Sequence, residues 1–84
     1  MEHLDYAKHI SKVSKENESL NENEFKHDYI YDEDKKNFFH LLLTKKKNTI
    51  YFVSKTTDNE QLSSYQYNCM VNELLKENFS SCKL

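Results

Sequence analysis

The chain has 84 residues, enough for one modest hydrophobic core, and contains no glycine, proline, tryptophan or arginine. A phosphate-cradling loop needs glycine where the backbone approaches its ligand, and a bidentate clamp on phosphate needs arginine, so both kinds of site are excluded. With 12 basic and 14 acidic residues the formal net charge is −2, which excludes a general attraction to nucleic acid or to anionic membranes.

The composition is typical of a globular protein from an AT-rich genome. Hydrophobic residues make up 37% of the chain and aromatic residues 13%, which is enough to form a core. The missing residue types have mainly GC-rich codons. No apolar run approaches the ~20 residues that span a bilayer, and the first ten residues are too polar for a signal peptide. We therefore expect a cytoplasmic protein without a membrane partner.

The first predicted element is a short amphipathic helix over residues 4–15. Its apolar residues recur at three- and four-residue intervals, at Tyr6, Ala7, Ile10 and Val13. Residues 16–24 lose this pattern and are acidic and rich in asparagine. They are therefore predicted to form a loop or a frayed helix end.

Three β-rich segments follow, at residues 25–32, 37–44 and 49–55. The short polar links between them imply antiparallel hairpins. Because the chain has no glycine, the second link must take its left-handed residue from Asn48, the best available substitute.

A second helix is predicted over residues 58–78, followed by a flexible tail at 79–84. Thr57 and Glu60 have the spacing of a capping box, and a broad apolar stripe follows them. The sequence therefore predicts a single α+β domain of order α-β-β-β-α, in which a three-stranded antiparallel sheet packs with two helices.

No constellation of residues points to catalysis, a metal or a cofactor. Cys69 and Cys82 have neither a CxxC spacing nor a companion histidine, and the expected cytoplasmic location predicts that both are reduced. His27 and Asp28 could approach His40 if the first two strands pair, although sheet histidines are more often surface residues. We therefore expect a non-catalytic protein with no cofactor.

The middle strand is apolar on both faces, with Phe39, Leu41 and Leu43 on one and Phe38 and Leu42 on the other. Two arrangements would account for this pattern. Both helices could cover one face, so that the other is covered by a loop, a second copy of the chain or a different protein. Alternatively, the helices lie on opposite faces and the strand is simply buried.

Two surfaces are candidates for binding. The first is apolar and acidic and would contact a protein, its acidic residues imitating phosphate. Its residues are Phe38, Leu42, Tyr51, Tyr65, Asp32, Glu33 and Asp34. The second is the predicted hairpin tip Lys45, Lys46 and Lys47, which could reach the phosphates of a nucleic acid. The predicted element order is also that of double-stranded RNA-binding domains, but their glycine–proline loop and the lysine-rich start of their second helix are missing here.

The favoured hypothesis is a small protein-binding module, such as a phage or mobile-element product that inhibits or redirects a host enzyme. Chains of this size and codon bias with no cofactor motif are typical of such products. One alternative is a nucleic-acid-binding or regulatory protein that uses the lysine tip, and its binding would weaken steeply with salt. Another is a homodimer joined through the second face of the sheet.

Overall fold

The computed structural model describes residues 4–76 and has the predicted order of elements. Helix α1 spans Tyr6–Glu16, strands β1, β2 and β3 span Phe25–Asp32, Asn37–Lys46 and Thr49–Thr57, and helix α2 spans Ser64–Leu75. The strands form one antiparallel sheet in the order β1-β2-β3. The predicted α+β fold is confirmed, while the predicted tail at 79–84 lies outside the described residues.

Side chains at both ends of α1 satisfy its free backbone groups. Asp5 is the N-cap, and its carboxylate accepts a hydrogen bond of 3.1 Å from the backbone amide of Lys8. At the other end, the Asn17 side chain donates to the carbonyl of Val13 at 2.8 Å. These contacts hold the helix within one or two residues of its predicted bounds.

Helix α2 begins at Ser64, so the predicted start at residue 58 is wrong. Thr57 cannot cap a helix because it is still paired with Phe38 in the sheet. The capping box is formed instead by Ser63 and Gln66, whose side chains each accept from the other's backbone amide at 3.1 and 2.9 Å. Residues 58–63 are therefore a loop that leads from β3 to α2.

The two helices lie on opposite faces of the sheet. The core on the α1 side consists of Val13, Leu41 and Leu43, and the core on the α2 side consists of Leu42, Val53, Met70 and Leu74. Successive residues of β2 point to alternate faces, so this strand contributes to both cores. This explains why it is apolar on both sides and selects the second of the two predicted arrangements.

The β2–β3 hairpin turns through two residues in the left-handed region, Lys47 with φ 51° and Asn48 with φ 63°. The prediction for Asn48 is confirmed, and Lys47 shares its conformation. The Glu22 carboxylate accepts from both of their backbone amides, at 2.9 and 3.4 Å. The acidic loop before β1 thus stabilises a turn that would normally use asparagine and glycine.

The double variant Lys47→Asn, Asn48→Gly should therefore be more stable than the natural chain. Its residues adopt positive φ at lower cost, and we expect about 1 kcal/mol of additional free energy of unfolding. Urea denaturation of both proteins measures the difference. Lys47→Val is the opposing variant, because a β-branched residue at this φ should destabilise the hairpin. Equal stability of all three proteins would contradict this account of the turn.

Cys69 lies on α2 and is disulfide-bonded in the structure. The expectation that both cysteines are reduced is therefore wrong for this residue, and Cys82 lies outside the described residues.

Candidate functional site

Three aromatic residues form a patch on the α2 side of the sheet. Tyr31 lies opposite Phe38 in the β1–β2 register, and Tyr29 lies opposite His40 on the same face. Helix α2 packs on Leu42, closer to the β2–β3 hairpin. Tyr29 and Tyr31 are consequently left 43% and 47% exposed. We refer to Tyr29, Tyr31 and Phe38 as the aromatic patch.

The rings of the aromatic patch are packed against one another. The Phe38 ring centroid lies 5.0 Å from that of Tyr31 and 6.2 Å from that of Tyr29. These separations fall in the range of favourable aromatic pairs, which prefer tilted or edge-to-face geometry. Both tyrosines are therefore held in place by a shared neighbour while a large part of each remains accessible to solvent.

A histidine pair lies beside the aromatic patch, with His27 half-buried. His40 is fully buried, and its Nδ1 is 3.0 Å from Nε2 of His27. Its Nε2 is 2.9 Å from the carbonyl oxygen of Asn59 and 3.0 Å from the hydroxyl of Thr57. A carbonyl can only accept, so the hydrogen-bond network assigns the proton of His40 to Nε2. In the neutral pair, His27 then donates its Nε2–H to Nδ1 of His40.

This pair joins β1, β2 and the loop that leads to α2. It also supports the aromatic patch, because the Tyr29 ring lies 5.8 Å from the rings of both histidines. On the outer side, the Tyr29 hydroxyl donates to the Glu60 carboxylate at 3.1 Å, and this hydrogen bond raises the pKa of Tyr29. Tyr29 is thereby held by the sheet and by the loop.

An open pocket of about 600 Å³ adjoins the histidine pair. Its lining is largely polar and includes His27, Glu60, Ser63 and Tyr67. Within residues 4–76 no group of three or more His, Cys, Asp or Glu side chains is placed to hold a metal ion. The prediction that His27 and His40 approach each other is confirmed. Both rings have positioning contacts within the fold that need no ligand.

Acidification should lower the stability of the fold through His27. Burial and the neighbouring His40 lower its pKa from the ordinary 6.5, with Asp28 acting in the opposite direction. Below about pH 6.5 the unfolded chain therefore binds more protons than the folded chain, and stability falls as the pH decreases. Melting temperatures at about pH 7.5 and about pH 5.5 measure this loss. His27→Gln, whose amide can still donate to His40, should lose less. An equal loss of melting temperature in both proteins would contradict the assignment of this pH dependence to His27.

The residues predicted to bind protein are distributed among several environments. Phe38 lies in the aromatic patch. Leu42 has no exposed surface, because α2 covers it, so it is not a surface residue as predicted. Tyr51 is half-buried and packs against the same core. Tyr65 is 70% exposed on α2. The structure therefore leaves Tyr65 as the exposed member of the apolar set, whereas Phe38 and Tyr51 are half-buried.

The predicted acidic group is also divided. Asp32 is only 3% exposed, and its carboxylate accepts from the Tyr6 hydroxyl at 2.5 Å and from the backbone amides of Asp34 and Lys35. These contacts, the Tyr6 hydrogen bond first, lower the pKa of Asp32, and the hydrogen bond to Asp32 raises the pKa of Tyr6 to about 12. Asp32 thus holds the β1–β2 turn together, whereas Glu33 and Asp34 are exposed.

The lysines of the hairpin tip are engaged within the fold. The Lys45 ammonium donates to the carbonyl of Glu18 at 2.8 Å, and the Lys46 ammonium donates to the carbonyl of Leu74 at the same distance. Lys46 thereby satisfies a free carbonyl at the C-terminal end of α2. The backbone amide of Lys47 donates a hydrogen bond to the Glu22 carboxylate. The alternative nucleic-acid site would therefore have to exchange existing contacts for phosphate contacts.

The sequence analysis missed Tyr29 and Tyr31 as site residues. The signal was present, because residues 27, 29 and 31 alternate along β1 and must share one face of the sheet. These tyrosines were missed because the path of α2 over the sheet was not predicted. A helix that begins at residue 58 would follow β3 directly, and its sequence does not indicate which part of the sheet it covers.

Neither helix within residues 4–76 is both long and apolar enough to cross a membrane. Comparison with protein-family models, with curated proteins and with solved structures finds no match to this chain.

Proposed function

We propose that the chain is a non-catalytic protein-binding module whose contact surface is the aromatic patch. The observation that carries this proposal is the pair of tyrosines, each more than 40% exposed, packed against Phe38 on one face of the sheet. Tyrosine is enriched at the centres of protein interfaces, because its ring buries a large apolar area with little loss of side-chain freedom. A surface that is already ordered avoids part of the entropic cost of binding.

The charges around the aromatic patch indicate the chemistry of the partner. Four acidic residues lie near the aromatic patch. Asp58 follows Thr57, which pairs with Phe38, and Glu60 accepts a hydrogen bond from Tyr29. Glu33 and Asp34 follow the end of β1. The neighbouring Lys35 is turned to the other face, where its ammonium lies 4.9 Å from the centre of the Tyr6 ring. Lys55, opposite His40, is the single basic residue that β3 places on the face of the aromatic patch. We therefore expect the partner to present lysine or arginine beside an apolar contact, and arginine can also stack on the tyrosine rings.

Reversing the exposed acidic charges should weaken this interaction. Glu33→Lys with Asp34→Lys should lower the affinity about tenfold, mainly through a slower association rate. Asp32 is left unchanged because its carboxylate holds the turn. Glu16→Lys with Glu18→Lys is the control. It changes the net charge by the same amount at the end of α1 and just beyond it, and should have little effect on the affinity. Surface plasmon resonance with the purified partner separates the two rates. An equal loss in both variants would show a general charge effect instead.

In this proposal the partner is a host enzyme, which the chain inhibits or redirects. The support for this finer statement is the small size, an amino-acid composition typical of an AT-rich genome and the absence of a cofactor motif from the sequence.

Affinity capture from an extract of the source cells, performed both with and without nuclease, tests the proposal. The tagged natural chain should retain a stoichiometric protein, which Tyr29→Ser with Tyr31→Ser should lose. Tyr65→Ser removes a more exposed tyrosine elsewhere and should retain the protein. Retention of the same protein by all three chains would overturn the proposal. Recovery of nucleic acid that depends on Lys45, Lys46 and Lys47 would favour the alternative function.

A further inference from the structure

Strand β3 has an open outer edge. It is the last strand of the sheet and pairs with β2 on one side only. Because Lys46 and Thr49 close a two-residue hairpin, the backbone groups of odd-numbered β3 residues face β2, and those of even-numbered residues face outward. The outward groups belong to Ile50, Phe52, Ser54 and Thr56. Among the described residues, none of these four has a hydrogen bond to a further strand or loop.

The side chains along this edge are uncharged on the α1 side of the sheet. Ile50, Phe52, Ser54 and Thr56 all point to that side, and Phe52 is 41% exposed. Ile50 and Phe52 also line an open groove of about 720 Å³ between α1 and β3. The only charged residue of β3 is Lys55, on the other face. Edge strands of natural proteins are usually protected by charges, proline or bulges, and β3 has little such protection.

We propose that a second copy of the chain binds here, by antiparallel pairing of β3 with β3 across a two-fold axis. Centring the pair on Phe52 places the two Phe52 residues opposite each other and places Ile50 opposite Ser54 of the second copy. Their outward backbone groups then form about six intermolecular hydrogen bonds. The two sheets become one antiparallel sheet of twice the width, and the exposed Phe52 rings form a cross-strand aromatic pair.

The pattern of charge along β3 is compatible with a second copy as the occupant. In this register Lys55 lies opposite Thr49 of the other chain, and the two Lys55 side chains are about 20 Å apart along the strands. No like charges therefore face each other within the paired strands. The other edge strand, β1, carries Lys26, Asp28 and Asp32, so it is the more strongly protected edge. The dimer would leave both aromatic patches free, because each lies over β1 and β2.

Concentration-dependent hydrogen exchange of the full chain, read by NMR, tests this pairing at single amides. The amides of Phe52 and Ser54 should become about tenfold more protected between dilute and concentrated samples. Those of Tyr51 and Val53, which already face β2, should change only with global stability. Equal exchange of the Phe52 and Ser54 amides at both concentrations would overturn the proposal.

Two variants tested by sedimentation give an independent measurement. Phe52→Lys places like charges opposite each other, and Ser54→Pro removes an outward donor that the monomer does not use. Each should raise the dimer dissociation constant at least about tenfold. Ala7→Lys adds the same charge at an exposed position on α1 and should leave it unchanged. A monomeric natural chain at high concentration, or a dimer unaffected by either edge variant, would contradict pairing through β3. Circular dichroism verifies that each variant is folded.

Discussion

His40→Ala is expected to lose about 3 kcal/mol of its free energy of unfolding. The substitution removes a fully buried ring, leaves a cavity and deprives the Nε2–H of His27 of its acceptor. It also removes the hydrogen bond that His40 donates to the Asn59 carbonyl. Domains of this size are commonly stable by only about 5–10 kcal/mol, so the loss would be a large fraction of the total.

Urea denaturation of the natural chain and of His40→Ala gives this difference directly. Tyr65→Ala is the control, because the side chain is 70% exposed and should change stability by less than about 0.5 kcal/mol. His40→Ala should also loosen the loop at residues 58–63, which is visible as faster hydrogen exchange there. A loss below about 1 kcal/mol would mean that the histidine pair contributes little to the fold.

Tyr31→Ala is expected to weaken binding of the protein partner at least about thirtyfold, which corresponds to about 2 kcal/mol. Tyr31 is the most exposed residue of the aromatic patch, and its ring is positioned by Phe38. Because Tyr31 lies on the surface of the sheet and belongs to neither of the two described cores, the variant should fold normally. Calorimetric titration of the purified partner provides the affinity.

Tyr31→Phe distinguishes the ring from its hydroxyl. If the ring supplies the contact, Tyr31→Phe should retain most of the affinity that Tyr31→Ala loses. Tyr65→Ala is again the matched control. Unchanged affinity of Tyr31→Ala, together with a loss in Tyr65→Ala, would move the binding surface to α2.

The fold could be predicted from sequence because its signals are local. The β-rich composition of the three segments, the polar links and the left-handed Asn48 each depend on neighbouring residues alone. The start of α2 could not be predicted in the same way. Thr57 carries a good capping signal, but pairing with Phe38 in the sheet outweighs it, and that contact joins residues far apart in the chain.

The site was predicted only in part for the same reason. Phe38 was identified because its strand is apolar on both faces, but the coverage of Leu42 depends on where α2 crosses the sheet. Similarly, Asp32 resembles its exposed neighbours in sequence, and only the distant Tyr6 hydroxyl distinguishes it. The sequence gives no sign that Lys45 and Lys46 have partners within the fold, because the residues whose carbonyls bind them, Glu18 and Leu74, are about 27 positions away.

Site-directed photo-crosslinking in the source cells tests the central claim most directly. A photoreactive phenylalanine analogue at position 31 reports what touches the aromatic patch, and the same analogue at positions 65 and 47 reports on α2 and on the hairpin tip. The account predicts one discrete protein adduct from position 31 and none from the other two. An adduct from position 65 or 47, with none from position 31, would contradict it.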